Sequence, residues 1–163
     1  MSQDLQQANG ARLVVFLGSA SDLPVVEGMA PLCERFGLSW RVEVASAHRQ
    51  PQRLHALVRE CEAAGAEVFV AIAGLAAHLP GVVASLTARP VIGVPVAAGS
   101  LGGLDALLSI VQMPPGVPVA TVAIGKGGAC NAVVLAARIL ALKDPAVASA
   151  LAAYGEHLAQ GGR

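Results

Sequence analysis

Trp40-Arg41-Val42-Glu43-Val44-Ala45-Ser46-Ala47-His48-Arg49-Gln50-Pro51 is the stretch that decides the fold. Trp40, Val42 and Val44 alternate with Arg41 and Glu43, the period of a strand. The run ends in a short polar loop, and Pro51 opens a helix, because the N–H that proline lacks has no partner in a first helical turn. Leu54, Leu57, Val58 and Cys61 then share one helical face, which stops near Gly65. Strand, loop and helix in that order make the unit of an open α/β sheet, which binds its ligands at the carboxyl ends of its strands. The loop offers the Ser46 hydroxyl, the His48 imidazole and the permanent cation of Arg49. The same residues also suit a plain surface loop, so the surrounding chain has to decide.

The unit recurs on both sides. Residues 12–17 form a short apolar run ending at Gly18-Ser19-Ala20-Ser21-Asp22. Pro24 opens a predicted helix on which Val25, Met29, Leu32 and Phe36 recur at helical spacing before Gly37. Residues 68–73 read as a third strand, apolar on both faces as a covered parallel strand is, followed by a loop over 74–81 and a helix over 80–88. Strands over 91–96 and 119–124 flank a helix over 104–111. A helix over 126–142 is apolar nearly all round and therefore buried, and Asp144-Pro145 caps a last helix over 146–158. The alternation predicts a polar tail over 1–11 and one α/β domain over 12–163, a flavodoxin-like, doubly wound parallel sheet in three layers.

Composition narrows the function. Only 13% of the 163 residues are charged while 55% are hydrophobic, against a typical charged share of about 25%. The apolar surface left over points to a homo-oligomer. Eleven basic and eleven acidic residues cancel without a basic run, which speaks against nucleic acid. Cys33, Cys61 and Cys130 are scattered without metal spacing, as in a reduced, cytoplasmic protein. The start of the chain lacks a secretory pattern. The uncharged run between Glu67 and Arg89 is interrupted by Gly74, His78, Pro80 and Gly81, so a strand, loop and helix explain it better than a membrane span.

The predicted topology gathers the strand-end loops on one edge. Ser19, Ser21 and Asp22 supply hydroxyls and a carboxylate at a helix start, a setting that favours phosphate; Asp22 also suits a plain helix cap. Arg49 can grip a phosphate with two prongs. His78 can close over a ligand or bond to backbone. Gly125-Lys126-Gly127-Gly128 fits neither a Walker loop nor a dinucleotide fingerprint, so ATP and NAD are poorly supported. Ala98-Gly99-Ser100-Leu101-Gly102, with Asp105 and His157, imitates a hydrolase nucleophile elbow, but Asp105 follows too soon. Cys130 near a helix start suits a thiolate or a small packing residue.

Together Gly18-Ser19-Ala20-Ser21-Asp22, Ser46-Ala47-His48-Arg49, Ala76-Ala77-His78-Leu79-Pro80-Gly81, Pro90-Val91-Ile92-Gly93-Val94-Pro95-Val96, Leu108-Ser109-Ile110-Val111-Gln112-Met113-Pro114 and Ala123-Ile124-Gly125-Lys126 resemble the N5-carboxyaminoimidazole ribonucleotide mutases of purine biosynthesis. The resemblance runs in one register from about Leu13 to Tyr154. It implies an octamer with the C-terminal helix packing on a neighbouring subunit. It implies a ribonucleotide substrate whose carboxyl group moves from the exocyclic nitrogen to ring C4, with no metal and no cofactor. His48 would be the acid–base group. Ser19, Ser21, Asp22, Ser46 and Arg49 would bind substrate, Asp22 at the ribose and Arg49 at the phosphate. Gly74, Ala76 and His78 would shape a pocket that retains carbon dioxide. Direct carboxylation of aminoimidazole ribonucleotide and a non-catalytic nucleotide-binding module are the alternatives. The family usually reads Gly-Gly-Ala-Ala-His where this chain has Gly74-Leu75-Ala76-Ala77-His78. A leucine there is expected to resist positive φ and to alter the loop. Ala97-Ala98-Gly99 replaces a common polar pair, and Cys130 an alanine.

Overall fold

Five parallel strands in the order β2-β1-β3-β4-β5 form the single sheet of the computed structural model, which describes residues 10–162. They are β1 (Leu13–Leu17), β2 (Trp40–Val44), β3 (Val68–Gly74), β4 (Val91–Val96) and β5 (Ala120–Thr121). The helices are α1 (Leu23–Val26), α2 (Ala30–Arg35), α3 (Pro51–Ala63), α4 (Leu79–Leu86), α5 (Leu104–Val111), α6 (Lys126–Ala141) and α7 (Pro145–Ala159). Val15 stands opposite Val42 on one side and Val70 on the other, so β1 is an interior strand, and it is buried throughout.

Strand pleating divides the core in two. Leu13, Val15 and Leu17 face the side where Val26, Met29, Cys33 and the α6 row Ala129, Ala132, Val133 and Ala136 are buried. Val14 and Phe16 face Leu54 and Val58 of α3, Val83 of α4 and Ile110 of α5. Phe16 and Phe69 stack there with centroids 5.8 Å apart. Each such side chain contributes about 1.5–3 kcal/mol by leaving water. The strand order reverses direction between β1 and β3, which is where doubly wound sheets open a crevice. The α6 helix lies between the sheet and α7, whose Val147 joins the same core, in keeping with its apolar circumference.

Two expectations need correction. The helix predicted from Pro24 to Phe36 is two short helices broken at Glu27-Gly28-Met29. Pro31 lacks the N–H that would bond back to Glu27, and its ring would crowd that carbonyl. The fifth strand, predicted over 119–124, pairs only at Ala120 and Thr121. Gly93 and Pro95 both turn their carbonyls toward it, accepting from Val122 and Gly125 at 3.1 and 2.8 Å. Pro95 has no N–H to return, so the ladder stops there.

At the amino ends of the strands, remote from the loops above, Arg12 bridges Glu67 (Nε–Oε1, 2.5 Å) and Asp144 (Nη1–Oδ2, 2.6 Å). Lys143 also pairs with Glu67. The hydrogen bond from Lys143, then that from Arg12, hold the Glu67 carboxyl below its ordinary range despite partial burial. Arg12 and the α7 backbone do the same for Asp144. Asp144 caps α7 as expected, its Oδ1 accepting from the Ala146 and Val147 amides. Among the described residues no helix is long and apolar enough to cross a membrane. Residues 1–9 of the expected tail lie outside the described residues.

Candidate active site

Three strand-end loops converge at the crevice. After β1, the Ser19 hydroxyl accepts from the Ser21 amide (3.3 Å) and hydroxyl (2.9 Å), winding Ala20–Asp22 into one tight turn. The Asp22 carboxylate makes no capping bond to α1, which removes the plain cap reading. Burial raises its pKa, while the Ser19 backbone and the Ser21 hydroxyl pull it back down.

The loop after β2 is anchored by buried Ala45, whose amide donates to the Leu17 carbonyl at 3.0 Å. The Gln50 amide donates to the Ser46 carbonyl at 2.9 Å, and Pro51 then begins α3. This short arch leaves His48 and Arg49 exposed. The Arg49 guanidinium spans the Ser46 hydroxyl (3.3 Å) and the Gly18 carbonyl (3.4 Å). Both are neutral, so its charge remains available to an anion.

After β3 the chain doubles back. The Ala77 amide donates to the Leu75 carbonyl (2.9 Å) and the His78 amide to that of Ala76 (2.8 Å). Buried Ala77 and Leu79 pin this turn to the core. Leu75 adopts φ +56°, contrary to the expectation that leucine would resist positive φ. That conformation costs a non-glycine residue about 1–2 kcal/mol. It is sustained by the tight backbone turn around it.

Among the described residues the His78 ring bonds to no backbone acceptor. Its Nδ1 lies 2.8 Å from Nε2 of His48, and the two rings meet edge to face at 83°. One hydrogen bridges this pair, because two N–H groups cannot face each other at that distance.

All nine residues expected at the site line one cavity of about 460 Å³: Ser19, Ser21, Asp22, Ser46, His48, Arg49, Gly74, Ala76 and His78. Its volume suits a small-molecule ligand. Gly18, Ala47, Ala73, Leu75, Leu79 and Ala98 complete the wall. Apolar and glycine residues carry no chemistry of their own: Gly74 and Ala76 were expected here only through the resemblance, and the position of Leu75 inside the same loop was its one signal. The other motifs do not join the site. Lys126 pairs with Glu27 at 3.4 Å. The Cys130 thiol donates to the Gly28 carbonyl at 3.5 Å and is half-buried, a packing role. Among the described residues no hydrogen bond links Ser100, Asp105 and His157: the Asp105 carbonyl accepts from Ser109. Nor, among those residues, do three or more His, Cys, Asp or Glu converge as they would around a metal.

Fold and site together define a flavodoxin-like α/β protein with a cavity lined by Arg49, two histidines and three serines at the β1/β3 switch point. The AIR carboxylase family profile matches residues 12–161. The N5-carboxyaminoimidazole ribonucleotide mutase of Methanocaldococcus jannaschii is 54% identical over 146 residues, 90% of this chain and 89% of that protein. The mutase of the same name from Escherichia coli is 49% identical over 136 residues, 83% and 80%. The crystal structure of Treponema denticola PurE aligns with a TM-score of 0.83 at 30% identity, covering 91% of this chain and 92% of that one. The chain belongs to the AIR carboxylase family.

Proposed function

We propose that this protein is an N5-carboxyaminoimidazole ribonucleotide mutase of purine biosynthesis in which His48 carries the protons. The reaction breaks the carbamate C–N bond, leaving the electron pair on nitrogen and releasing carbon dioxide. Ring C4 then attacks the gas, giving 4-carboxy-5-aminoimidazole ribonucleotide. The exocyclic nitrogen gains one proton and C4 loses one, so the sum is zero. A single group placed between the two positions serves both transfers. Histidine suits this because it exchanges protons near neutral pH.

The observation that carries the reading is the His48–His78 contact at 2.8 Å on the wall of a cavity that also holds Arg49 and Ser19. With its proton on Nε2, His48 is a donor to Nδ1 of His78, so the contact ties the two rings together at the reacting end of the cavity. Arg49, with only neutral partners among the described residues, receives the phosphate. Ser19, Ser21 and Ser46 supply hydroxyls, and Asp22 accepts from the ribose. Gly74 and Ala76 bring backbone close to the ligand and keep the chamber narrow, which holds gas and ring together.

The reading extends to the whole molecule. Residues 12–163 act as one domain in the cytoplasm, and copies assemble into an octamer with α7 against a neighbour. Exposed Leu101, Leu104, Leu108, Val111 and Leu142 supply apolar surface for that assembly. Incubation of the purified protein with the carbamate substrate, without ATP or added metal, tests the function. The 4-carboxy product is expected. Product formed only from the decarboxylated nucleotide plus carbon dioxide would establish direct carboxylation instead, and saturable binding without product a binding module.

A further inference from the structure

Leu75 is unfavourable twice over on the isolated chain: it holds φ +56° and leaves 53% of its surface exposed. Strain of this kind at a ligand pocket is a pointer to function. The loop after β3 and the loop after β4 interlock there through glycines. A Cβ added at Gly74 would stand 3.0 Å from Cβ of Ala98 and 3.2 Å from the Val96 carbonyl oxygen. One added at Gly99, which has φ +69°, would stand 2.8 Å from Cδ2 of Leu75. Each loop thus leaves a gap that the other's side chain fills, and Leu75 bridges the two. Leu75 and Ala98 both line the cavity shared by His48 and His78. Ala73 and Ala76 continue the same apolar wall.

Building on the mutase reading, we infer that Leu75 is a positioning residue for the carbon dioxide stage. Locked over Gly99, it seals the apolar side of the chamber against water and against escape of the gas. Between C–N cleavage and C–C formation the enzyme holds a neutral, weakly solvated molecule with no charge to grip. Retention then rests on walls rather than on hydrogen bonds. The seal acts on the competition between recapture and leakage. Leakage delivers the decarboxylated nucleotide and free carbon dioxide, with the nitrogen protonated and C4 still bearing its hydrogen.

The test uses the carbamate substrate in buffer containing ¹³C-bicarbonate and carbonic anhydrase, with enzyme-free decarboxylation subtracted. Label in the C4 carboxylate and free decarboxylated nucleotide are both measured. Wild type is expected to give product with little label. Leu75→Gly removes the side chain, and Leu75→Asn keeps its size and tolerates positive φ while making the wall polar. Both are expected to raise label and free nucleotide several-fold relative to product. Gly99→Ala, by displacing Leu75, is expected to do the same, and Leu75→Gly with Gly99→Ala to leak no more than Leu75→Gly alone. Unchanged label in both Leu75 variants, whether or not kcat falls, overturns the proposal and leaves the mutase reading intact. Wild-type product carrying the full label of the buffer overturns the mutase reading, and this proposal with it.

Discussion

Replacing His48 by asparagine separates proton transfer from binding. His48 is exposed, and among the described residues its ring makes one hydrogen bond, to His78 at 2.8 Å. The change should therefore move folding stability by no more than about 0.5 kcal/mol. Arg49, Ser19 and Asp22 stay in place, so the Kd for nucleotide should stay near the wild-type value. The loss falls on kcat. A positioned acid–base group contributes about 10²–10⁴-fold, or about 3–5 kcal/mol of barrier. The upper part of that range applies here, because one imidazole serves both the nitrogen and C4. The assay is product formation at saturating substrate, with calorimetric titration of product to report binding. His78→Asn leaves the acid–base group present but removes the partner of its charged form. A hydrogen bond to a charged group contributes about 1.5–3 kcal/mol, so kcat should fall about 10- to 100-fold, less than for His48→Asn. If His48→Asn keeps kcat within about tenfold of wild type, or if the loss appears in Kd alone, His48 is not the proton carrier.

Arg49→Ala should weaken nucleotide binding by about 1.5–3 kcal/mol with little change in kcat at saturation; Arg49→Lys should recover only part, as a point charge lacking the two-pronged geometry. Adjacent glycines of α6 should respond with opposite sign. A Cβ at Gly128 would overlap the Ala123 carbonyl oxygen, so Gly128→Ala should cost about 1–3 kcal/mol in urea unfolding, whereas a Cβ at Gly127 would meet nothing within 4 Å among the described residues beyond its own helix and Gly127→Ala should gain up to about 1 kcal/mol. The Arg12 cluster predicts an acid limb. Glu67 and Asp144 are held below their ordinary values of 4.5 and 3.8, so the folded state binds fewer protons than the unfolded one. Their stabilisation is complete above those ordinary values and is lost as pH falls through the lower folded ones. Arg12→Gln should lower the thermal midpoint at pH 7 more than at pH 3. Equal shifts at both would disprove the linkage.

Local signals carried most of the architecture. Pro51, the alternation of Trp40, Val42 and Val44, and the Asp144-Pro145 pair mark element boundaries through backbone chemistry that acts within a few residues. The fold and the polar half of the site were legible for that reason. The strand-end rule then brings Ser19, His48 and His78 to one edge although they lie far apart in the chain. The two fold corrections differ in kind: Pro31 lies inside the segment predicted as one helix and breaks it locally, whereas β5 is cut short from outside its own segment. The length of β5 depends on whether Pro95, a residue of another strand, has an N–H to offer, and no window around residues 119–124 contains that fact.

By itself the sequence determined the parallel α/β order, the three loops that bear chemistry and the membership of Arg49 and His48 in one of them, because periodicity, proline and polar loop residues act locally. Tertiary structure alone decided that His48 meets His78, that Asp22 caps nothing, and that Leu75 sits at positive φ over Gly99. The first and the last depend on loops from separate strands being brought within a few ångströms, and on a packed backbone that holds Leu75 in a conformation it would not choose alone; the Asp22 result is set inside its own loop, where Ser19 takes the capping bond.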